Sequence, residues 1–221
     1  TIGDLLNMTA GLDWKESYYN PFGITARFYY TKDLTDLIHN FKFNSKPGEK
    51  FVYQSGATQL ASIMLDSLLI QNGSSLSEYA GDRFWKKIGA KENALWSLDR
   101  FGGVEKGFCC FHSNALDFAK IGRLFLNNGL FKKDRVVSSS FIKKIKKPTV
   151  SDFYSYGWWI TTVNNYDVFY MRGFLGQYVA VVPDKNLIVV RLGKKEEKSR
   201  IGENSPPVSF NVFMNEVLKN Y

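Results

Sequence analysis

Residues 157–192 read GWWITTVNNYDVFYMRGFLGQYVAVVPDKNLIVVRL, and they contain the clearest strand pattern of this 221-residue chain. β-Branched and aromatic residues, which favour strands, are concentrated in four short segments. These segments are residues 156–162, 166–172, 177–182 and 187–192. Asn164-Asn165 lies between the first two segments and Asp184-Lys185-Asn186 between the last two, and both are typical hairpin turns. The sequence therefore predicts an antiparallel meander.

Helical patterns lie on both sides of this meander. In the clearest one, apolar residues recur at helical spacing after Ser113, which we expect to start the helix, and Gly129 is a typical helix stop. The predicted helices are residues 1–8 from an N-cap at Thr1, 31–41 from an N-cap at Thr31, 56–69, a helix from an N-cap at Ser75 or Ser77 to residue 89, 115–126, 138–146 and 207–221. Residues 14–30 are predicted to form an aromatic loop. A mainly helical region over 1–150, followed by strands and a last helix over 151–221, indicates an α+β fold with helices packed on an antiparallel sheet.

The composition excludes several classes of protein. Hydrophobic residues make up 44% of the chain and charged residues 23%, which excludes a disordered or fibrous protein. No apolar run approaches the roughly 18 residues that a membrane-spanning helix needs. Two cysteines and two histidines are too few for a disulfide framework or a typical zinc site, so we expect no metal and no cofactor. We interpret Cys109 and Cys110 as buried and inert, because no adjacent cation favours a thiolate.

The positive charge of the chain raises a second class of partner. Lysine and arginine total 29 against 21 acidic residues, a net charge of +8, which is compatible with binding to nucleic acid or to an anionic surface. The basic residues are concentrated in short runs at 143–147 and 194–200, and such runs are typical of solvated faces. No nucleic-acid-binding motif accompanies them, so we expect no nucleic-acid partner. Binding to an anion or to nucleic acid stays open as a third hypothesis, which rests on the net charge alone.

Four segments carry a resemblance to a known family. They are TIGDLLNMTAGLDW at 1–14, FVYQSGATQL at 51–60, SNALDFAKIGRLFLNNG at 113–129 and RGFLGQY at 172–178. In this order they resemble the serine β-lactamase and penicillin-binding superfamily, most closely its class C-like esterases and 6-aminohexanoate-dimer hydrolases. Each motif is weak by itself, but the ordered set covers essentially the whole chain. The resemblance implies a β-lactamase/transpeptidase-like fold and a serine hydrolase that forms an acyl-enzyme from an ester or amide.

The resemblance also implies which residues form the site. Tyr53 stands in the place of the family's base, which deprotonates the nucleophilic serine and protonates the leaving group. Ser55 takes the place of a hydrogen-bonding partner in the same element. Phe174-Leu175-Gly176 stands where the family has Lys/His-Thr/Gly-Gly, and the backbone N–H of Gln177 is implied as one oxyanion donor. Trp14, Tyr18 and Tyr19 are expected either to line the substrate cleft or to cover the core.

Two departures from the family pattern affect this interpretation. The family's nucleophile belongs to a Ser-x-x-Lys helix upstream of the segment with which this chain begins, whereas Ser140-Phe-Ile-Lys143 follows Tyr53, so we interpret that string as chance. We therefore expect residues 1–221 to be the C-terminal portion of one β-lactamase-like domain, without the nucleophile. Phe174 replaces a Lys or His, which favours neutral or apolar substrates over β-lactams unless Arg172 compensates from the same strand face.

Two hypotheses about function follow. In the first, the parent protein hydrolyses a small ester, amide or peptide-like substrate; in the alternative, favoured by Phe174 and Leu175, it is an inactive β-lactamase-like binding or scaffold module. The resemblance suggests a periplasmic or secreted bacterial protein. Without the upstream part, one sheet edge and an apolar surface are expected to be open, which predicts self-association of this chain.

Overall fold

The computed structural model describes residues 1–195 and 205–221, which divide into two compact units. Unit 1 comprises Thr1–Lys86 and Asn93–Ser113, and unit 2 comprises Lys87–Glu92 and Asn114–Tyr221. The part of the predicted basic run that follows Lys195 lies outside the described residues. Among the described residues, no helix is both long enough and apolar enough to cross a membrane.

Unit 1 is mainly helical. Its elements are α1 (Ile2–Leu6), α2 (Ile24–Tyr30), α3 (Leu34–His39), α4 (Ser55–Ile70), α5 (Leu76–Ala80) and the short antiparallel pair β1 (Leu95–Trp96) and β2 (Phe111–His112). A π-helical turn, Gly81–Trp85, extends α5. The predicted N-cap at Thr1 is confirmed, because its side chain accepts the N–H of Asp4 while the Asp4 carboxylate accepts from the N-cap backbone.

The structure corrects two predictions in unit 1. The predicted loop over 14–30 contains α2, because Thr25 and Phe28, three residues apart, are both buried and give this segment a helical core face. The N-cap of α3 is Asp33 rather than Thr31: the Thr31 hydroxyl accepts the N–H of Asp33, and the Asp33 carboxylate accepts the N–H of Asp36.

Unit 2 contains the predicted meander. Its elements are α6 (Ala115–Leu126), the pair β3 (Leu130–Phe131) and β4 (Asp134–Arg135), α7 (Ser139–Ile145), the sheet strands β5 (Tyr154–Ser155), β6 (Trp158–Val163), β7 (Tyr166–Arg172), β8 (Gln177–Val182) and β9 (Leu187–Leu192), and α8 (Val208–Leu218). The five sheet strands pair antiparallel in chain order. Asn164 and Asn165 both have positive φ, as the predicted β6–β7 hairpin turn requires.

Helices α6, α7 and α8 pack on this sheet. On α6, a Cβ added to Gly122 would come within 2.8 Å of Ile188, so the absence of a side chain allows the helix to approach the strands closely. On α8, the Phe210 ring stacks on Tyr170 with 4.3 Å between centroids. The N-cap of α6 is Asn114 rather than the expected Ser113, because the Asn114 side chain accepts the N–H of Asp117. The α+β prediction is confirmed.

Exposed apolar residues on α4 give the predicted self-association a structural basis. Met64, Leu65, Leu68 and Ile70 are 43%, 39%, 59% and 61% exposed. We expect residues 1–221, produced alone, to associate through this helix, because burying these side chains removes apolar surface from water.

Replacing Leu65 and Leu68 with glutamate is expected to lower the mass-average molecular weight of the chain in sedimentation velocity. The matched control places the same two charges at Leu116 and Val212, which are 77% and 62% exposed in unit 2. A chain that is already a monodisperse monomer without substitution contradicts the prediction.

Candidate functional site

The predicted site residues form two groups, one in each unit. Trp14, Tyr53 and Ser55 belong to unit 1, whereas Arg172 and residues 174–177 belong to unit 2. The structure defines the geometry within each group.

The Tyr53-Gln54-Ser55 element lies where an extended segment becomes a helix, as the sequence predicts. Gln54 has extended backbone angles, and Ser55 is the first residue of α4. The buried Gln54 side chain donates to the backbone carbonyl of Leu12 at 2.8 Å, and the N–H of Val52 donates to the carbonyl of Met8 at 2.9 Å. These bonds fix the segment on both sides of Tyr53, whose side chain is half-buried.

The carboxylate of Glu16 binds the start of α4. The Ser55 hydroxyl donates to Oε1 of Glu16 at 2.7 Å, and the Ser55 backbone N–H donates to Oε2 at 2.9 Å. The indole N–H of Trp14 also donates to Oε2. Glu16 therefore satisfies an otherwise unpaired amide at the helix N-terminus, where a negative charge is favourable. It was not among the predicted site residues, and its one signal in the sequence is its position two residues after the matched segment.

Tyr18, which the sequence leaves open as a cleft or core residue, is a further member of this cluster. Its side chain is 45% exposed, but its phenol hydrogen-bonds to Ser55 and Glu16 and interacts electrostatically with Tyr53. Desolvation of the phenol, together with the neighbouring Tyr53 and Glu16, raises the pKa of Tyr18 far above its ordinary range, although the bond to Ser55 opposes this shift. Tyr18 is therefore a neutral hydrogen-bond donor at physiological pH.

Trp14 is a core residue of unit 1 that contacts Glu16. Its side chain is only 7% exposed and packs edge-on against Phe28 and Phe41 at centroid distances of 4.8 and 5.9 Å. A Cβ on Gly56 would come within 2.7 Å of the indole, so the second residue of α4 has to be glycine for this packing. Trp14 thus covers the core of unit 1 and orients Glu16, while its contact with a substrate stays a prediction.

The two cysteines differ from the sequence interpretation. Cys109 and Cys110 are half-buried and form a disulfide with each other, so the interpretation as buried, inert thiols is wrong. Cys110 has a φ of 68°, a left-handed conformation that the sequence gives no reason to expect. Its carbonyl accepts the N–H of Ser97, and the N–H of Cys109 donates to Lys106. The described residues contain no free cysteine.

In unit 2, the residues that follow β7 form a turn. β7 ends at Arg172, and Gly176, with a φ of 79°, completes the turn into β8. The expectation that Arg172 and Phe174 share a strand face is therefore wrong, because the strand does not extend to Phe174. The Arg172 guanidinium lies over the Trp159 ring, whereas Phe174 and Leu175 are 45% and 44% exposed. The turn thus presents apolar side chains to solvent.

Both the nitrogen and the oxygen of the Gln177 side-chain amide form hydrogen bonds that stabilise this turn. Its Nε2 donates to the carbonyl of Gly193 at 2.8 Å, and its Oε1 accepts the N–H of Leu175 at 3.1 Å. The guanidinium of Arg191 donates to the carbonyl of Gly176. These bonds fix the 174–176 turn on β8 and β9, and the predicted role of the Gln177 backbone N–H at an oxyanion stays a prediction.

The described residues also bear on a metal site and on the Ser140-Phe-Ile-Lys143 string. No group of three or more histidine, cysteine or acidic side chains within 1–195 and 205–221 is placed to hold a metal ion. Ser140 and Lys143 are exposed on α7, and the Ser140 hydroxyl shares a hydrogen bond with that of Ser138. Nothing in these contacts activates Ser140 as a nucleophile.

Comparison with known proteins places this geometry in context. The sequence profile of the family described as "Beta-lactamase" matches residues 1–205. A 6-aminohexanoate-dimer hydrolase of Paenarthrobacter ureafaciens is 23% identical over 220 residues, covering 87% of this chain and 54% of that protein. The chain thus spans about half the length of this curated relative.

Solved structures share the fold. A protein from Bacillus anthracis assigned as a 6-aminohexanoate-dimer hydrolase superposes with a TM-score of 0.80 at 22% identity, covering 100% of this chain and 60% of that one. A family VIII carboxylesterase superposes with a TM-score of 0.69 at 15% identity, covering 100% and 70%. A penicillin-binding protein from Bacillus halodurans gives a TM-score of 0.62 at 19% identity, covering 99% and 72%. The predicted β-lactamase/transpeptidase-like fold is confirmed.

Proposed function

Because this chain belongs to the beta-lactamase family, we propose that it provides part of the active site of a serine hydrolase that cleaves an ester or amide through an acyl-enzyme. The observation that carries the proposal is the cluster of Tyr53, Ser55, Tyr18 and Glu16 at the N-terminus of α4. Two phenols, a hydroxyl and a carboxylate there can accept, hold and donate protons.

In the proposed reaction, Tyr53 is the general base. A serine hydroxyl from a part of the parent protein outside these residues attacks the substrate carbonyl carbon, and its proton passes to the Tyr53 oxygen. The tetrahedral intermediate then collapses, the bond to the leaving group breaks, and Tyr53 returns the proton to that group. Water hydrolyses the remaining acyl ester. A phenol acts as a base near neutral pH only where a cation lowers its pKa from about 10. We propose that the lysine of a Ser-x-x-Lys element is this cation.

The two tyrosines have different roles in this proposal. Tyr18 keeps its proton because its pKa is raised, so it donates a hydrogen bond and cannot replace Tyr53 as base. Ser55 donates its own proton to Glu16 and is 4% exposed, which makes it a hydrogen-bonding partner of the site rather than its nucleophile.

The substrate class follows from the turn in unit 2. Phe174 is exposed where the family pattern has a Lys or His, and Leu175 is exposed where it has a Thr or Gly, so neither residue can pair with a substrate carboxylate. We therefore propose neutral or apolar esters and amides as substrates, in keeping with the carboxylesterase among the structural neighbours.

A fluorophosphonate probe tests the proposal. We expect a stoichiometric adduct in the full-length gene product, on the serine of a Ser-x-x-Lys element outside residues 1–221, and no adduct on residues 1–221 produced alone. Mass spectrometry of the labelled peptides identifies the modified residue. An adduct on Ser55 or Ser140 would contradict the assignment of the nucleophile. A full-length gene product without adduct or ester hydrolysis would favour the alternative, a binding or scaffold module.

A further inference from the structure

Unit 2 carries all of the excess positive charge of the chain. Unit 1 contains 10 lysine and arginine residues against 11 acidic ones, whereas unit 2 contains 19 against 10. The net charges are therefore −1 and +9, and the +8 of the whole chain is a property of one unit. A charge distributed in this way can act on a partner that meets unit 2.

Seven of these cations lie within residues 132–147 and define a basic patch. The patch consists of Lys132, Lys133, Arg135, Lys143, Lys144, Lys146 and Lys147, and all seven are exposed. Asp134 is the one acidic residue in the same stretch. The first three cations belong to the β3–β4 hairpin and the other four to α7 and the two residues that follow it.

The hairpin and the helix meet, so the patch is continuous. Arg135 donates to the backbone carbonyl of Asn128 at 2.9 Å, and the Lys146 ammonium donates to the Asn128 side chain at 3.5 Å. Ile142 and Ile145 bury one side of α7, which turns Lys143 and Lys144 to the opposite, solvent side. One surface therefore combines the hairpin tip with the outer face of α7.

The interior of the protein does not neutralise this surface. No patch cation forms an ion pair with any carboxylate in the described ranges 1–195 and 205–221, whereas Lys86 and Lys219 pair with Asp82 and Glu216. Lys143 and Lys144 lie in the last turn of α7, where cations stabilise the helix end, but this does not account for the cations of the hairpin. Seven like charges without a carboxylate partner in these described ranges favour an external polyanion.

We propose that the basic patch docks unit 2 onto an anionic phospholipid bilayer. Six of the seven cations are lysines, which are flexible point charges without the planar fork that arginine uses to read bases. Lipids in a fluid bilayer diffuse to meet each ammonium, whereas the phosphates of a duplex have fixed positions. The patch also has no exposed aromatic side chain on which a nucleobase could stack, since Phe141 is half-buried against Tyr156.

Vesicle co-sedimentation tests this proposal. We expect the chain to bind phosphatidylcholine vesicles that contain phosphatidylglycerol, not to bind phosphatidylcholine alone, and to be released by high salt. The K132Q/K133Q/K143Q/K144Q variant removes four charges whose ammonium groups make no described internal contact. Each lysine near an anionic bilayer strengthens binding by roughly fivefold. The affinity of the variant for the anionic vesicles should therefore be lower than that of the unmodified chain by at least about a hundredfold.

The matched control is K15Q/K42Q/K46Q/K50Q, which removes four exposed lysines from unit 1 and therefore has the same net charge as the patch variant. It should keep its affinity within a few-fold, and circular dichroism should show both variants folded. An equal loss in both variants would assign the binding to net charge and overturn the patch. No binding to the anionic vesicles, or tighter binding to duplex DNA at the same salt concentration, would overturn the lipid partner.

Discussion

Replacing Tyr53 with phenylalanine in the full-length gene product is expected to lower kcat for ester hydrolysis by about 10²- to 10⁴-fold, the range that a positioned general base contributes. Phenylalanine keeps the ring in the extended segment that Gln54 and Val52 fix, and removes the one oxygen that is proposed to carry the proton. The KM should change little, because the lost interaction acts on the proton in the transition state. Steady-state kinetics with a chromogenic ester measures both parameters.

Two control variants distinguish this role from a structural one. Tyr18→Phe removes the hydroxyl that bonds to Ser55 and Glu16 but leaves the base, so its loss in kcat should be much smaller than that of Tyr53→Phe. Tyr30→Phe removes a hydroxyl from a side chain that is 79% exposed and should leave the kinetics unchanged. If Tyr53→Phe hydrolyses the ester at the unmodified rate, Tyr53 is not the base.

The antiparallel sheet could be predicted from the sequence because local chemistry specifies it. Paired asparagines at 164 and 165 supply the positive φ values of a tight turn, and β-branched residues on both sides favour strands. The same local reasoning fails where a helix depends on distant partners. Phe28 of α2 is buried by Trp14 and Phe41, and nothing in residues 24–30 alone indicates that such packing exists.

Only the part of the candidate site that lies within one continuous motif could be predicted from the sequence. Tyr53 and Ser55 are adjacent to the helix start that the pattern predicts. Glu16 and Ser55 are separated by 39 positions in the chain, and residues 13–19 have no regular secondary structure. Neither a helical nor a strand periodicity therefore predicts that the Glu16 carboxylate lies at the start of α4. Tyr18 reaches the cluster through the same segment. The spacing of residues in the sequence does not reveal contacts that an irregular segment makes with residues far away in the chain.

Asp117 is a buried carboxylate whose replacement should lower the stability of unit 2. Its carboxylate is 1% exposed and accepts from the backbone N–H groups of Lys91 and Glu92 at 3.0 Å each, from the Lys120 ammonium at 2.7 Å and from Asn114 at 2.8 Å. It thereby joins residues 87–92 to the first turn of α6. Burial by itself raises the pKa of this carboxyl, but the hydrogen bonds from Lys120, Lys91, Glu92 and Asn114 outweigh it and hold the pKa well below its ordinary range.

Asp117→Asn should therefore lower the free energy of unfolding by about 2–4 kcal/mol at pH 7, because it leaves the Lys120 ammonium without its counter-ion and directs an amide NH₂ at backbone donors. Since the folded-state pKa is depressed, the stabilisation is present above the unfolded-state value near 4 and is lost as the pH falls below it. The difference between the two proteins in urea denaturation should accordingly be full at pH 7 and shrink below about pH 4. Asp152→Asn, which neutralises an exposed carboxylate of the same unit, is the matched control and should change the stability little. Equal stabilities of the unmodified protein and Asp117→Asn at pH 7 would contradict the assignment.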